Sequence, residues 1–332
     1  MKHHHLGNSG VAIFPAVFGT SRLGGTVAHY DKQESLRILD EVLDSPVNCV
    51  DTADLYAQGN SEKLIGEATR KKRDKVVLAT KGGYVLSGKA KLLSKLKPIV
   101  RKFLPARPAM KKAVGSFRGA QTNQCFTGGY LRKSLEASLR RLQTDYLDIY
   151  QLHSPDTETL RKGEVFETLK AFQKEGKIRT YGVSILSWND VSSCVEGEAT
   201  FVQVEADLIG EGAERARMIR ETAERGTSLI ARQAFGSGLL ARSPQDWTVD
   251  DFHGDEARLG RARERVETLK KIGDPFDEVM NFLLLGSTFP AFLFATTNRG
   301  HLANNLAALR AALNDPGDFA ELKQLFSPFA KD

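Results

Sequence analysis

Cysteine is scarce in this chain. Its 332 residues include three, Cys49, Cys125 and Cys194, far apart and with no Cys-x-x-Cys pair, which excludes a disulfide framework or a cysteine metal site and suits a reducing, cytoplasmic compartment. Long apolar runs are missing too. The longest, 282–296, is broken by Gly286, Ser287 and Pro290 and is too short to span a bilayer. The opening MKHHHLGNSG has no apolar signal core, and its histidines are given no role. No Gly-x-Gly-x-x-Gly follows a strand and no Gly-x-x-x-x-Gly-Lys-Ser/Thr occurs, so neither a Rossmann nor a P-loop nucleotide site is supported. Nucleic acid is not an expected partner, since no binding module is present and aromatics rarely interleave with the basic residues.

What is present is a repeating unit. Short apolar segments, AVFGT (16–20), NCVDT (48–52), KVVLAT (75–80), DYLDIYQL (145–152), TYGVS (180–184), FVQVE (201–205), SLIAR (228–232) and AFLFAT (291–296), read as buried strands. Helical stripes lie between them: Leu36, Leu39 and Leu43; Leu131, Leu135, Leu139 and Leu142; Val165, Phe166, Leu169 and Phe172; Leu302, Leu306, Leu309 and Leu313. Eight such units predict an α/β fold, a (β/α)8 TIM barrel in a single domain over 1–332, rather than an open doubly wound sheet. An N-terminal hairpin and long loops after strands three and seven complete the expected architecture.

Polar residues stand where the apolar runs stop. Asp51 follows NCV, Tyr56 comes five residues later, Lys81 follows VVLAT and His153 follows DIYQL. All strand ends of such a barrel open on one face, so these four can converge. An acid, a phenol, an ammonium and an imidazole can together deliver a proton to a carbonyl. Taken singly, each has a duller reading: a packing tyrosine, a solvated lysine, a helix-capping aspartate, a turn-capping histidine.

The ordered segments LGNSGVAIFPAVFGTSRLGG, VDTADLYAQGNSEKLIGEA, VVLATKGG, LRKSLEASLRRLQTDYLDIYQLHSP, GKIRTYGVS and TTNRGHLANNLAAL resemble the landmarks of the aldo-keto reductase superfamily over 6–309. The resemblance implies reduction of an aldehyde or ketone by hydride from a nicotinamide cofactor, without metal. A free phenol, with a pKa of about 10, is a slow proton donor at neutral pH, and a nearby cation lowers that value. Lys81 would supply the cation for Tyr56 as general acid, Asp51 would keep Lys81 charged and oriented, and His153 would hold the carbonyl oxygen.

Cofactor residues follow from the same resemblance. Gly19, Thr20 and Asp51 lie at early strand ends, and Ser184 and Gln203 are the expected partners of the nicotinamide carboxamide. Ile185 stands where the family usually has asparagine. Arg232 occupies a position that is aromatic in many relatives; a guanidinium can stack as a ring does, but its charge opposes an oxidised nicotinamide. Phe235 is expected at the cofactor, Gly236, Ser237, Gly238 and Leu239 beside its pyrophosphate, and Thr296, Thr297, Asn298, Arg299 and Asn305 beside the adenosine 2'-phosphate and adenine. Only Arg299 is a firm cation there. NADPH is the expected cofactor, with NADH as the alternative.

Segment 82–119 has no acidic residue and ten basic ones, without which the chain has 37 basic against 41 acidic residues and the net charge of +6 becomes −4. Within the insertion 82–126, KAKLLSKLKPIVRKFLP suggests an amphipathic lid over the barrel mouth, with contact to an anionic membrane surface as the lesser alternative. Leu55, Tyr84 and Trp188 are candidates for the pocket of a small-molecule carbonyl substrate, which loops 83–126 and 233–255 would close. Two other functions stay open: a cofactor-binding regulatory protein with little turnover, and a sugar or alcohol dehydrogenase working oxidatively.

Overall fold

Eight parallel strands close into a barrel in the computed structural model, which describes residues 3–24, 31–86, 122–206, 208–209, 213–314 and 320–327. A hairpin of β1 (His4–His5) and β2 (Ala12–Ile13) precedes it. The barrel begins with β3 (Ala16–Gly19), β4 (Cys49–Asp51) and β5 (Val77–Gly82). Next come β6 (Tyr84–Leu86) and β7 (Thr122–Gln124), which pair with each other outside the barrel. The barrel resumes with β8 (Leu147–His153), β9 (Ile178–Ser184), β10 (Phe201–Glu205), β11 (Ser228–Arg232) and β12 (Ala291–Phe294). β12 pairs with β3 and closes the ring.

All eight expected strands are found. The four leucine- and phenylalanine-rich stripes lie on helices Lys32–Leu43, Gly128–Leu142, Glu164–Lys174 and Arg299–Asn314, whose buried positions face the barrel. The insertion 82–126, expected as a loop, starts and ends as the β6–β7 ladder, with Tyr84 opposite Gln124. Its body, and with it the expected lid or membrane-facing helix, lies outside the described residues. Among the described residues no helix is long and apolar enough to cross a membrane.

Burial divides into two layers. A large cluster joins the outward strand faces to the helices. A smaller one fills the lower lumen with Val17, Cys49, Val77, Ala79, Ile149, Phe201, Ile230 and Ala291, sealed from below by Leu6, Val11 and Ile13 of the hairpin region. Each large apolar side chain buried there contributes about 1.5–3 kcal/mol. Gly182 on β9 makes room for this plug, because a Cβ there would sit 2.5 Å from the Phe201 ring.

Candidate active site

Strand side chains alternate between faces, so the residue two beyond each lumen-filling residue also points inward. Above Cys49 stands Asp51, above Ala79 Lys81, above Ile149 first Gln151 and then His153, above Phe201 first Gln203 and then Glu205, and above Ile230 Arg232. The upper lumen is therefore polar.

Asp51 and Lys81 are buried there as an ion pair, Nζ to Oδ1. Lys81 Nζ also donates to the Thr52 carbonyl at 3.0 Å, while Asp51 Oδ2 accepts from Gln151 Nε2 at 2.7 Å and Gln203 Nε2 at 2.8 Å. Such hydrogen bonds are what make a buried ion pair tolerable. Burial opposes the ammonium charge, but Asp51 outweighs it and Lys81 is held above the ordinary lysine range.

Tyr56 reaches this pair from the turn after β4. Ala57, Gln58 and Gly59 all have positive φ, +48°, +59° and +83°, which folds the chain back into helix Asn60–Thr69. Two non-glycine residues held there mark local strain of the kind found at functional sites. Lys81 Nζ lies 5.4 Å from the centre of the Tyr56 ring. His153 meets Tyr56 edge-on with centroids 5.8 Å apart, and Tyr84 packs perpendicular to His153 at 4.8 Å. The four expected catalytic residues are thus together. Burial first, then the cations of Lys81 and Arg232, push His153 down to about 3, so the imidazole is neutral at physiological pH and can donate a hydrogen bond without charge.

The expected cofactor residues lie at or after the same strand ends. Ser184 is buried beside Gln203 across the β9–β10 ladder, and the Ile185 amide donates to the Gln203 carbonyl at 3.1 Å. Arg232 bonds Glu205 at 3.4 Å and the Ile185 carbonyl at 3.0 Å. The Thr20 hydroxyl is buried and donates to the Asp51 carbonyl at 3.0 Å, so Thr20, next to Gly19, braces β4. Phe235 stacks on Phe276 at 4.7 Å and precedes the turn Gly236–Ala241, which includes Ser237 and the buried Leu239. Gly236 and Gly238 have φ of +64° and +100°, and nothing lies within 4 Å of where a Gly238 Cβ would be. That opening lets backbone approach a ligand closely.

After β12, Thr296 Oγ1 accepts from the Asn298 amide at 3.1 Å, Thr297 is exposed, and Asn298 Oδ1 caps the helix by accepting from His301 at 3.0 Å. Arg299 Nε donates to Glu41 at 2.6 Å, with Glu34 4.0 Å away, and Asn305 is half-buried in the same helix.

Beside His153 a cavity of about 820 Å³ is lined by Tyr84, Asn123, Gln124, Ser154, Pro155, Asp156, Thr157, Leu186 and Asp190. Of the three expected pocket residues only Tyr84 lines it. Leu55 is half-buried next to Tyr56, and Trp188 is buried with its indole N–H donating to the Glu205 carbonyl at 2.8 Å. Residue-by-residue reading of the sequence overlooked Gln151, although its parity between Ile149 and His153 marks it as inward. It also overlooked Gln124, whose side-chain nitrogen bonds the Ser154 carbonyl at 2.5 Å, and Leu186, 72% exposed at the cavity rim.

A family model, the Aldo/keto reductase family, matches residues 15–325. An uncharacterised oxidoreductase, YqkF, of Bacillus subtilis is 25% identical over 321 residues, 94% of this chain and 92% of that protein. The holo form of aldo-keto reductase AKR11C1 from Bacillus halodurans superposes with a TM-score of 0.74 at 24% identity, covering 100% of this chain and 97% of that one. An aldo/keto reductase from Klebsiella pneumoniae, solved in complex with NADP and acetate, gives 0.66 at 22% identity, with 99% and 96% covered.

Proposed function

The chain belongs to the aldo/keto reductase family of NAD(P)H-dependent oxidoreductases acting on carbonyls, and from that premise we propose that it reduces an aldehyde or ketone to an alcohol with NADPH, Tyr56 serving as general acid. The observation that carries this reading is the buried Asp51–Lys81 pair directed at the Tyr56 ring. The cofactor, when bound, supplies the hydride. Everything else falls to side chains. The carbonyl oxygen gains negative charge as the hydride arrives, and Tyr56 gives it a proton. Lys81 stabilises the phenolate left behind, and Asp51 keeps Lys81 charged and pointed. The neutral imidazole of His153 holds the carbonyl oxygen in line for attack.

The rim suits a dinucleotide. Gln203 gives its N–H to Asp51, which leaves its carbonyl oxygen to accept from a carboxamide, and Ser184 beside it offers a hydroxyl. The open backbone at Gly238 and the start of helix Arg299–Asn314 suit phosphates. Arg299 is the cation for a 2'-phosphate, for which Glu41 competes. Arg232, although Glu205 pairs with it at 3.4 Å, is the cation that would disfavour an already cationic oxidised nicotinamide and so favour reduction. Oxidation of NADPH and of NADH with a panel of aromatic and aliphatic aldehydes tests the proposal. Turnover faster with NADPH is expected; tight NADPH binding with no turnover on any carbonyl would replace it with a regulatory role.

A further inference from the structure

Behind the barrel wall, beside the Gly82 end of β5, lies a half-buried carboxyl, Asp54, that the chemistry above does not use. The Asp54 amide donates to the Lys81 carbonyl at 3.0 Å, tying the Tyr56 turn to the end of β5. Asp54 Oδ2 accepts from Ser134 Oγ at 2.7 Å. Its Oδ1 is sealed from solvent, and so is the Tyr150 hydroxyl, and neither has a hydrogen-bond partner among the described residues. The Tyr150 hydroxyl and Ser134 Oγ press on β5. A Cβ at Gly82 would overlap the Tyr150 hydroxyl and come within 2.8 Å of Ser134 Oγ. Orphaned buried oxygens are costly, so two in one cluster call for an explanation.

We propose, building on the reductase reading, that Asp54 is a positioning residue for proton delivery: with Ser134 and Tyr150 it clamps the turn carrying Tyr56 against the strand end carrying Lys81. The groups facing its carboxyl are Ser134, Tyr130 and Arg141 from helix Gly128–Leu142, Tyr150 from β8, Glu62 from helix Asn60–Thr69 and the Lys81 carbonyl from β5. Arg141 is shared with Glu62, to which it donates at 2.5 Å, so Asp54 has no cation of its own among these groups. Burial pushes the Asp54 carboxyl up to about 7, against the Ser134 hydrogen bond. Below that pH the carboxyl is neutral and sits in its buried place without an unpaired charge. Above it the carboxyl carries a charge with no cation of its own, which loosens the residue whose amide ties the Tyr56 turn to the Lys81 carbonyl. Reductive turnover falls as that charge appears.

The test is the pH profile of kcat for the full chain with saturating NADPH and one good aldehyde, from pH 5.5 to 8.5, in wild type, Asp54→Asn and Ser134→Ala. Wild type should lose on the order of fivefold in kcat through an inflection near pH 7. Asp54→Asn should keep the low-pH rate with that inflection gone, and Ser134→Ala, lacking a donor to the carboxylate, should move it to higher pH. A thermal scan gives a readout independent of turnover. A raised folded-state value means that stability is lost as pH rises through it, so the Tm of Asp54→Asn should gain on wild type between pH 5 and pH 8. An unchanged inflection in either variant, or a Tm difference independent of pH, overturns the proposal. Absent turnover in wild type would instead defeat the reductase reading.

Discussion

The two ends of the barrel lumen are built from the same strands and differ in almost everything else. Below the level of Asp51 and Lys81 the inward residues are hydrocarbon, Val77, Ala79, Ile149, Phe201 and Ile230, with Cys49 among them. From that level upward they are Asp51, Lys81, Gln151, Gln203, Glu205 and Arg232. The lower half needs only volume. The upper half needs each polar atom partnered, since an unpaired buried charge costs far more than a poorly fitted methyl group. Stability should therefore depend on the floor, and chemistry on the rim, with the Asp51–Lys81 pair belonging to both.

The largest effect should come from that shared pair. Lys81→Met leaves Asp51 buried without its cation, and we expect a loss of about 3–5 kcal/mol in unfolding free energy together with a collapse of kcat, read by denaturant titration and steady-state assay. Phe201→Ala breaks only the floor. It should cost about 3–5 kcal/mol of stability while kcat per folded molecule stays within about twofold, provided that the rim is unmoved.

Gln151→Met removes one of two amide donors to Asp51 Oδ2, and about 1–3 kcal/mol should be lost, mostly as kcat, with NADPH affinity held by fluorescence titration. Acid should distinguish the ends as well. His153 is pushed down to about 3 in the folded chain, so between its ordinary value and about 3 the unfolded chain binds a proton that the folded one refuses. Stability from this group is present above the ordinary histidine range and is lost as pH falls. His153→Asn should show a shallower decline of Tm between pH 7 and pH 4. The smallest change is expected at the outer rim. Arg299→Ala should weaken NADPH by about 1 kcal/mol or less and NADH hardly at all, and equal weakening would mean that Arg299 does not touch the 2'-phosphate.

Much of this was legible from residue order. Short apolar segments with leucine stripes between them are the direct imprint of a covered parallel barrel, and all eight strands fell where that imprint placed them. Asp51, Lys81 and His153 could be read because each is the polar residue that ends an apolar run. Gln151 sits inside a run and was passed over, although its parity with His153 carried the information. Trp188, a pocket candidate, is buried with its indole N–H on the Glu205 carbonyl, a placement that depends on packing between β10 and the turn after β9 and is not written in the local sequence. The buried orphan oxygens of Asp54 and Tyr150 are invisible in sequence, because they depend on how closely helix Gly128–Leu142 approaches Gly82.

Proton delivery rests on the Lys81–Asp51 pair making Tyr56 the donor. The most direct test is Tyr56→Phe, measured for aldehyde turnover with saturating NADPH and, on the same preparation, for NADPH affinity by fluorescence quenching. A kcat lower by about 10²–10⁴-fold with affinity nearly unchanged is expected. Turnover equal to wild type would contradict it.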